Sequence, residues 1–127
     1  MSFTLLDMGS EGYEFHANVW CWKTTLEIIR SLDIMNITKL RMLESSGNGI
    51  KIEMEEAHLI GRKLYEEILP KLEPNKRMFI NLTVTDEPDD GTLYRDPDEA
   101  WKNYSVSYQW LKDFADFCLN SKGFQVF

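Results

Sequence analysis

Apolar side chains recur at helical spacing between residues 105 and 120, and no other segment of the chain is so strongly patterned. The apolar stripe consists of Tyr108, Leu111, Ala115 and Cys118, widened by Trp110, Phe114 and Phe117. The polar stripe is narrow and consists of Gln109, Lys112, Asp113, Asp116 and Asn120. A helix with so wide an apolar surface is covered by other elements on more than one side. We therefore predict that this helix is the central pillar of the core.

Two further helices follow from the same periodicity. Asn18 is a good N-cap, because its side chain accepts hydrogen bonds from the free amides of a first turn. Helix-spaced apolar residues follow it, which predicts a helix over about residues 18–33. A later helix has an apolar face made of Ala57, Ile60, Leu64 and Ile68. Gly61 beside that face allows another element to approach closely, and Pro70 ends or bends the helix.

The remaining segments suggest a fourth helix and a few short strands. Asp96-Pro97-Asp98-Glu99 has the capping and proline pattern of a helix start. Apolar stretches over 3–8 and 13–17 predict a short hairpin, and Ile50–Ile52 and Met78–Val84 predict strands. After Gly123, the C-terminal residues 124–127 are expected to be extended and to pair with the N-terminal segment. The fold class predicted is mainly α, with three to four helices and a few short strands in a single domain over 1–127, and α+β is the alternative.

Charge and cysteine content narrow the classes of partner and compartment. The formal net charge is −7, which disfavours binding to nucleic acid and to anionic membranes. The longest apolar runs fall short of the roughly 18 residues that a membrane-spanning helix needs. Cys21 and Cys118 are too few for a disulfide framework, and the N-terminus does not look like a signal peptide. We therefore expect a cytoplasmic protein with free thiols.

The segment 15–22 contains two of the four tryptophans, one histidine and one cysteine. Two interpretations stay open for it. In one, Asn18 caps a helix and the tryptophans begin its buried stripe. In the other, the segment is a ligand-binding or catalytic site built from His16, Asn18, Trp20 and Trp22, in which Asn18 orients a ligand and a tryptophan stacks on it. The exposure of the two indole rings distinguishes these interpretations.

Motifs for metal and cofactor chemistry fail at essential positions. His16, Cys21, His58 and Cys118 are all the histidines and cysteines, and they form no closely spaced pair that would anchor zinc. The acidic segment 86–99 places proline where a calcium loop needs its carboxylate ligands. There is no phosphate-binding glycine loop and no nucleophile elbow. We therefore predict neither a metal nor a cofactor, and we consider an enzyme less favoured than a binding protein.

Three segments resemble a group of small bacterial proteins without an assigned activity. They are Phe15-His16-x-Asn18-x-Trp20-x-Trp22, Asn48-Gly49-x-x-Ile52-x-x-x-Glu56-Ala57, and Trp110-Leu111-x-x-Phe114-x-x-Phe117-Cys118 with Gly123-Phe124-x-Val126. The likeness covers under half of the chain and leaves out residues 71–104. It implies a shared fold and supplies no catalytic residues.

Three functional hypotheses follow. The first is a cytoplasmic protein-interaction module of immunity or adaptor type, with a basic protein as partner, as its acidic charge suggests. The second is a small ligand-binding domain or enzyme that uses the site at His16, Asn18, Trp20 and Trp22. The third is a homodimer that associates through Trp101 and Tyr104.

Overall fold

The structure, a computed structural model, describes residues 2–9, 12–45, 49–87 and 100–127. Its helices are α1 (Val19–Leu32), α2 (Ile37–Ser45), α3 (Met54–Lys63), α4 (Leu69–Leu72) and α5 (Tyr108–Asn120). A π-helical stretch, Leu64–Ile68, joins α3 to α4, and a short 3-10 helix spans Ala100–Asn103. The strands are β1 (Ser2–Asp7), β2 (Glu14–Asn18), β3 (Ile50–Ile52), β4 (Arg77–Phe79), β5 (Val84–Thr85), β6 (Ser105–Ser107) and β7 (Phe124–Val126).

The prediction of a mainly α fold is wrong, and the molecule is an α+β fold. The strands form two antiparallel sheets and take 23% of the described residues. Most of them are only two or three residues long, too short for alternation to show in the sequence. They also pair over long sequence distances, as β1 does with β7. Pairing of that kind leaves no local signal, so the helices dominated the sequence pattern.

The last helix illustrates the error at a single boundary. Residues 105–107 were predicted as its first turn, but they form β6, which pairs with β4. Helix α5 begins at Tyr108, because the Ser107 hydroxyl accepts from the Trp110 N–H at 3.1 Å and caps the helix. Of the apolar side chains that the sequence assigned to this helix, Leu111, Phe114, Ala115 and Cys118 are fully buried. Tyr108, Trp110 and Phe117 are half-buried.

Other elements agree with the sequence in part. The N-terminal hairpin, the helix after Asn18 and the pairing of the C-terminal strand with the N-terminal one are confirmed. The expected strand over 78–84 is instead two strands, β4 and β5, joined by a turn. Helix α2 was not predicted, and the helix start expected at 96–99 lies outside the described residues.

The four-stranded sheet has the strand order β2-β1-β7-β3 and covers one side of the helices. Alternate side chains of β1 point inward, so Phe3 and Leu5 are buried. Phe3 packs on Trp22 of α1, with ring centroids 5.9 Å apart, and Phe124 of β7 packs on Phe117 of α5 at 5.4 Å. The core therefore lies between this sheet and helices α1 and α5.

Helix α3 packs closely against α5. A Cβ atom added at Gly61 would lie 2.6 Å from Leu119 Cγ and 2.8 Å from the backbone oxygen of Ala115. Only glycine fits at that distance. The close approach expected beside Gly61 is therefore confirmed, and its partner is the central helix.

The π-helical stretch compensates for Pro70. A proline lacks the backbone N–H and its ring clashes with the carbonyl four residues earlier, so a regular α-helix cannot pass through it. The Leu69 N–H bonds to the Leu64 carbonyl instead, which widens the turn by one residue. Tyr65 lies in this widened turn, and its hydroxyl reaches Asp116 of α5.

The second sheet has the order β5-β4-β6 and carries a buried arginine. Arg77 is 4% exposed, and its guanidinium lies over the Phe79 ring at 4.8 Å. It donates to the Glu87 carbonyl at 2.8 Å and to the Ser105 hydroxyl at 3.0 Å. These contacts tie the sheet to the segment that follows β5.

No helix among the described residues combines the length and apolar character that crossing a bilayer requires.

Candidate functional site

The structure separates the side chains of His16, Asn18, Trp20 and Trp22. Asn18 is the N-cap of α1, and its Oδ1 accepts from the Cys21 N–H at 2.8 Å. Trp22 is 1% exposed, and its Nε1 donates to the Leu43 carbonyl at 3.1 Å. The side chains of Asn18 and Trp22 are therefore both in use within the fold.

His16 and Trp20 lie on different surfaces. His16 points from the outer face of the sheet, with its side chain 70% exposed and its Nε2 3.3 Å from a carboxylate oxygen of Glu14. Trp20 is half-buried and packs on Tyr104, with ring centroids 4.7 Å apart. None of the four predicted site residues lines either of the two depressions described below.

The aromatic residues suggested for a homodimer contact are also packed within the chain. Trp101 stands edge-on to Phe79, with centroids 5.3 Å apart, and Lys102 Nζ lies 5.6 Å from the Trp101 ring. Tyr104 contacts Trp20 as described. Both rings are half-buried in the isolated chain.

The larger depression is a cavity of about 610 Å³ beside the start of α5. Several of its polar groups form hydrogen bonds within the protein. Arg77 bonds to Glu87 and Ser105, and the Ser107 hydroxyl caps α5. Gln109 donates to Asp113 at 2.8 Å. The charged lining residues Lys76, Arg77 and Glu87 are of mixed sign, so the lining does not favour one class of ligand.

The smaller depression, of about 310 Å³, has a more specific chemistry. We call it the acidic groove, and it is lined by Asp7, Tyr13, Phe15, Asp113, Asp116, Phe117, Asn120 and Ser121. Of the lining residues that the structure describes, three are aspartates and three are aromatic, and neither lysine nor arginine is among them. The groove is therefore both negatively charged and aromatic.

Two distant parts of the chain build the acidic groove. One wall comes from the N-terminal hairpin, where Tyr13 and Phe15 have the same strand parity and point to the same side of the sheet. The other wall is α5, where Asp113, Asp116 and Asn120 are spaced by three and four residues and share one helix face. Asp7 ends β1 and closes one end of the groove.

Aromatic packing fixes the floor of the groove. The Phe15 ring lies 5.4 Å from Trp110, 5.8 Å from Phe114 and 5.5 Å from Phe117, measured between ring centroids. These contacts hold β2 against α5. Tyr13 at the margin is 63% exposed, so an aromatic ring stands at the opening of the groove.

Asp116 is held by two neighbours. Its Oδ1 accepts from the Tyr65 hydroxyl, and its Oδ2 accepts from Lys112 Nζ at 3.3 Å. The hydrogen bond to the carboxylate, followed by burial, raises the pKa of Tyr65 above its usual range. The same carboxylate raises the pKa of Lys112. Asp116 is therefore fixed in place, and its charge is partly balanced by Lys112.

The other two aspartates keep free acceptor capacity. Asp7 Oδ1 accepts from the Gly9 and Lys122 N–H groups, both at 3.0 Å, which orients the carboxylate. Asp113 Oδ1 accepts from Gln109. Within the described part of the chain, the second oxygen of each of these carboxylates makes no hydrogen bond. A carboxylate accepts up to about four hydrogen bonds, so both can receive donors from a ligand.

Sequence reasoning found only half of this site. It identified the polar stripe of α5 but assigned no partner to it. The residues at 7 and 13 were seen only as parts of a hairpin or the turn beside it, and Phe15 also as the start of the segment 15–22. The available signal was a pair of aspartates, three residues apart, beside the aromatic positions of the same helix. The hairpin wall gave no such signal, because its contact with α5 spans about 100 residues of sequence.

The groove does not have the geometry of a metal site. Among the described residues, no three His, Cys, Asp or Glu side chains come together to hold a metal ion. Comparison with family models, with curated proteins and with solved structures finds no match to this chain.

Proposed function

We propose that this protein is a cytoplasmic protein-interaction module of immunity or adaptor type, and that the acidic groove binds a basic side chain of its protein partner. The observation that carries the proposal is the lining of the groove, which combines three carboxylates with three aromatic rings. The net charge of −7 supports it, because the whole molecule attracts a basic partner and repels nucleic acid.

An arginine or lysine side chain matches this lining. Its cationic head donates charge-assisted hydrogen bonds to the free carboxylate oxygens of Asp7 and Asp113. Its apolar stem and the face of a guanidinium pack on aromatic rings such as Tyr13 and Phe117, where a cation is also attracted by the ring electrons. Arginine suits the groove best, since its planar head both stacks and forms paired hydrogen bonds.

The experiment is an NMR titration of the ¹⁵N-labelled protein with a short blocked peptide in which arginine alternates with threonine. We expect saturable shifts of the amides of Phe15, Asp113, Asp116 and Asn120. A second peptide carries citrulline in place of arginine, which keeps the shape and removes the charge. It should bind much more weakly, and added salt should weaken only the arginine peptide.

Two variants separate the groove from the general charge of the protein. Asp113→Asn should weaken the arginine peptide about fivefold, which corresponds to about 1 kcal/mol for a partly exposed charge pair. Glu55→Gln removes the same charge from an exposed position on α3 and should leave binding unchanged.

Three results would contradict the proposal. The first is equal binding of the arginine and citrulline peptides, and the second is an equal loss in the two variants. The third is binding of free arginine amide as tight as that of the peptide, which would indicate a small-molecule site. Light scattering on the free protein tests separately whether a second copy of the chain occupies the groove.

A further inference from the structure

The hydrogen bonds of β1 determine which of its residues face each neighbouring strand. Thr4 and Phe127 exchange two backbone hydrogen bonds, both at 2.9 Å, and the Met8 N–H donates to the Gly123 carbonyl at 2.9 Å. The even-numbered residues of β1 therefore direct their backbone groups toward β7. In an extended strand these directions alternate, so the odd-numbered residues direct theirs toward β2.

The same alternation extends to β2. The Asp7 N–H donates to the Tyr13 carbonyl at 2.8 Å, and Phe15 lies opposite Leu5 in the register. Phe15 thus directs its backbone groups toward β1. The N–H and C=O groups of Glu14 and His16 point the other way, toward the open side of the strand.

This open side is the free edge of the sheet. Strand β2 is the terminal strand in the order β2-β1-β7-β3. Within residues 2–9, 12–45, 49–87 and 100–127, no backbone hydrogen bond reaches Glu14 or His16 from that side. An edge with unpaired backbone groups is a template for a strand from another chain. The edge at β3, the other end of this sheet, offers only three residues.

The free edge of β2 borders the acidic groove. Phe15 and Tyr13 line the groove from the inner face of the sheet. A strand added beside β2 would direct alternate side chains to that same inner face, next to Asp113 and Asp116 of α5. Its other side chains would lie on the outer face beside Glu14 and His16.

We propose that the basic segment of the partner binds as an extended strand along the free edge of β2. Its backbone pairs with Glu14 and His16, and its inward-facing basic side chains enter the acidic groove. This inference rests on the proposed function, and it adds the conformation and the backbone contacts of the bound segment. Strand addition of this kind takes affinity from main-chain hydrogen bonds and specificity from alternate side chains.

The backbone contacts are tested with two N-methylated forms of the arginine–threonine peptide. One is methylated on the threonine nitrogens and the other on the arginine nitrogens, so each loses the N–H groups of one side of the strand. An antiparallel strand directs its threonine N–H groups to β2, and a parallel strand its arginine N–H groups. We expect one form to lose at least about tenfold in affinity, equivalent to roughly one charge-assisted or two neutral hydrogen bonds. The other should stay within about twofold of the parent.

The protein side is tested at His16. His16→Pro removes the outward N–H without removing a bond to β1, and proline is tolerated on an edge strand in that orientation. We expect it to bind the peptide about tenfold more weakly than His16→Ala, the matched variant that keeps the N–H. In the wild-type protein, peptide should slow hydrogen exchange of the Glu14 and His16 amides. The amides of Phe15 and Ala17 should already exchange slowly without it.

These outcomes distinguish the two proposals. If both methylated peptides bind equally, or both fail equally, the strand addition is overturned. If binding of the unmethylated peptide nevertheless depends on the charge of the peptide and on Asp113, the proposed function stands without the strand addition. Unchanged exchange at Glu14 and His16 in the saturated complex would also overturn the strand addition.

Discussion

Asn18 shows how a side chain that looks like part of a binding site can have a structural role, here as a helix cap. Its Oδ1 accepts from the Cys21 N–H at 2.8 Å, and its backbone has the extended conformation of an N-cap. The cap satisfies an amide that would otherwise be free at the start of α1. Its position beside two tryptophans therefore needs no ligand to explain it.

We expect Asn18→Ala to lower the free energy of unfolding by about 1 kcal/mol, the usual cost of losing a cap. Asn18→Ser should restore most of that loss, because serine caps about as well as asparagine. Urea unfolding followed by circular dichroism measures both variants. Equal stability of the alanine and serine variants would mean that the cap contributes nothing to folding.

For single residues, the sequence predicted interactions with near neighbours in the chain but not hydrogen bonds to distant elements. The capping role of Asn18 follows from its place before an apolar periodic segment. The hydrogen bond from Trp22 Nε1 to the Leu43 carbonyl joins α1 to a helix that the sequence pattern did not indicate. When the hydrogen-bond acceptor of an indole lies on another element, the residues around the tryptophan in the sequence do not predict that bond.

At the level of elements, the contact between α3 and α5 depends on the missing side chain of Gly61. A methyl group there would meet Leu119 Cγ at 2.6 Å and the Ala115 carbonyl oxygen at 2.8 Å. A leucine side chain can rotate, but the backbone of the central helix can only move as a whole.

We therefore expect Gly61→Ala to destabilise the protein by about 1–3 kcal/mol through overpacking, even after the gain of up to about 1 kcal/mol in helix propensity. Gly9→Ala is the control, because the nearest atoms to its Cβ would belong to side chains, the flexible Lys122 at 3.3 Å and Asp7 Oδ1 at 3.4 Å. The control should stay within about 0.5 kcal/mol of the wild type in urea unfolding. A Gly61→Ala protein as stable as the control would refute the close packing of these helices.

Helices were predictable where one face is apolar over several turns, as in α1, α3 and α5. Helix α2 has only two buried residues, Leu40 and Leu43, and its weak pattern escaped prediction. The sequence predicted that the helix ends or bends at Pro70, but it did not predict the π-helical turn before it. Whether a chain breaks or widens at a proline depends on what it packs against, which for this segment includes α5.

For the whole molecule, the acidic groove arises from the way the N-terminal hairpin docks on the last helix. Phe15 sets that docking through its contacts with Trp110, Phe114 and Phe117. The net charge predicted a basic partner, but it did not indicate which part of the surface to propose as the binding site. The proposed location depends on the sheet order, because the terminal position of β2 places a strand edge that is unpaired among the described residues beside the aspartates.

The molecule should also lose stability at alkaline pH, because the folded state holds several protons more tightly than the unfolded chain does. Complete burial raises the pKa of the Cys118 thiol well above its ordinary value of 9.0. The Asp116 carboxylate raises the pKa of Tyr65 above 10.0 and that of Lys112 above 10.5. Between the unfolded and folded values of each group, the native state binds more protons, so the free energy of unfolding falls as pH rises. The stabilising effect is complete below about pH 9 and is lost progressively above it.

Urea unfolding between about pH 8 and pH 11 measures this slope. Cys118→Ala is expected to be less stable at the lower pH, because it removes a buried sulfur atom. Its stability should nevertheless fall less steeply with pH than that of the wild type. Tyr65→Phe should flatten the slope only above about pH 10, where the unfolded tyrosine begins to ionise. If both variants follow curves parallel to the wild type, neither group carries the linkage, and the alkaline loss arises elsewhere in the molecule.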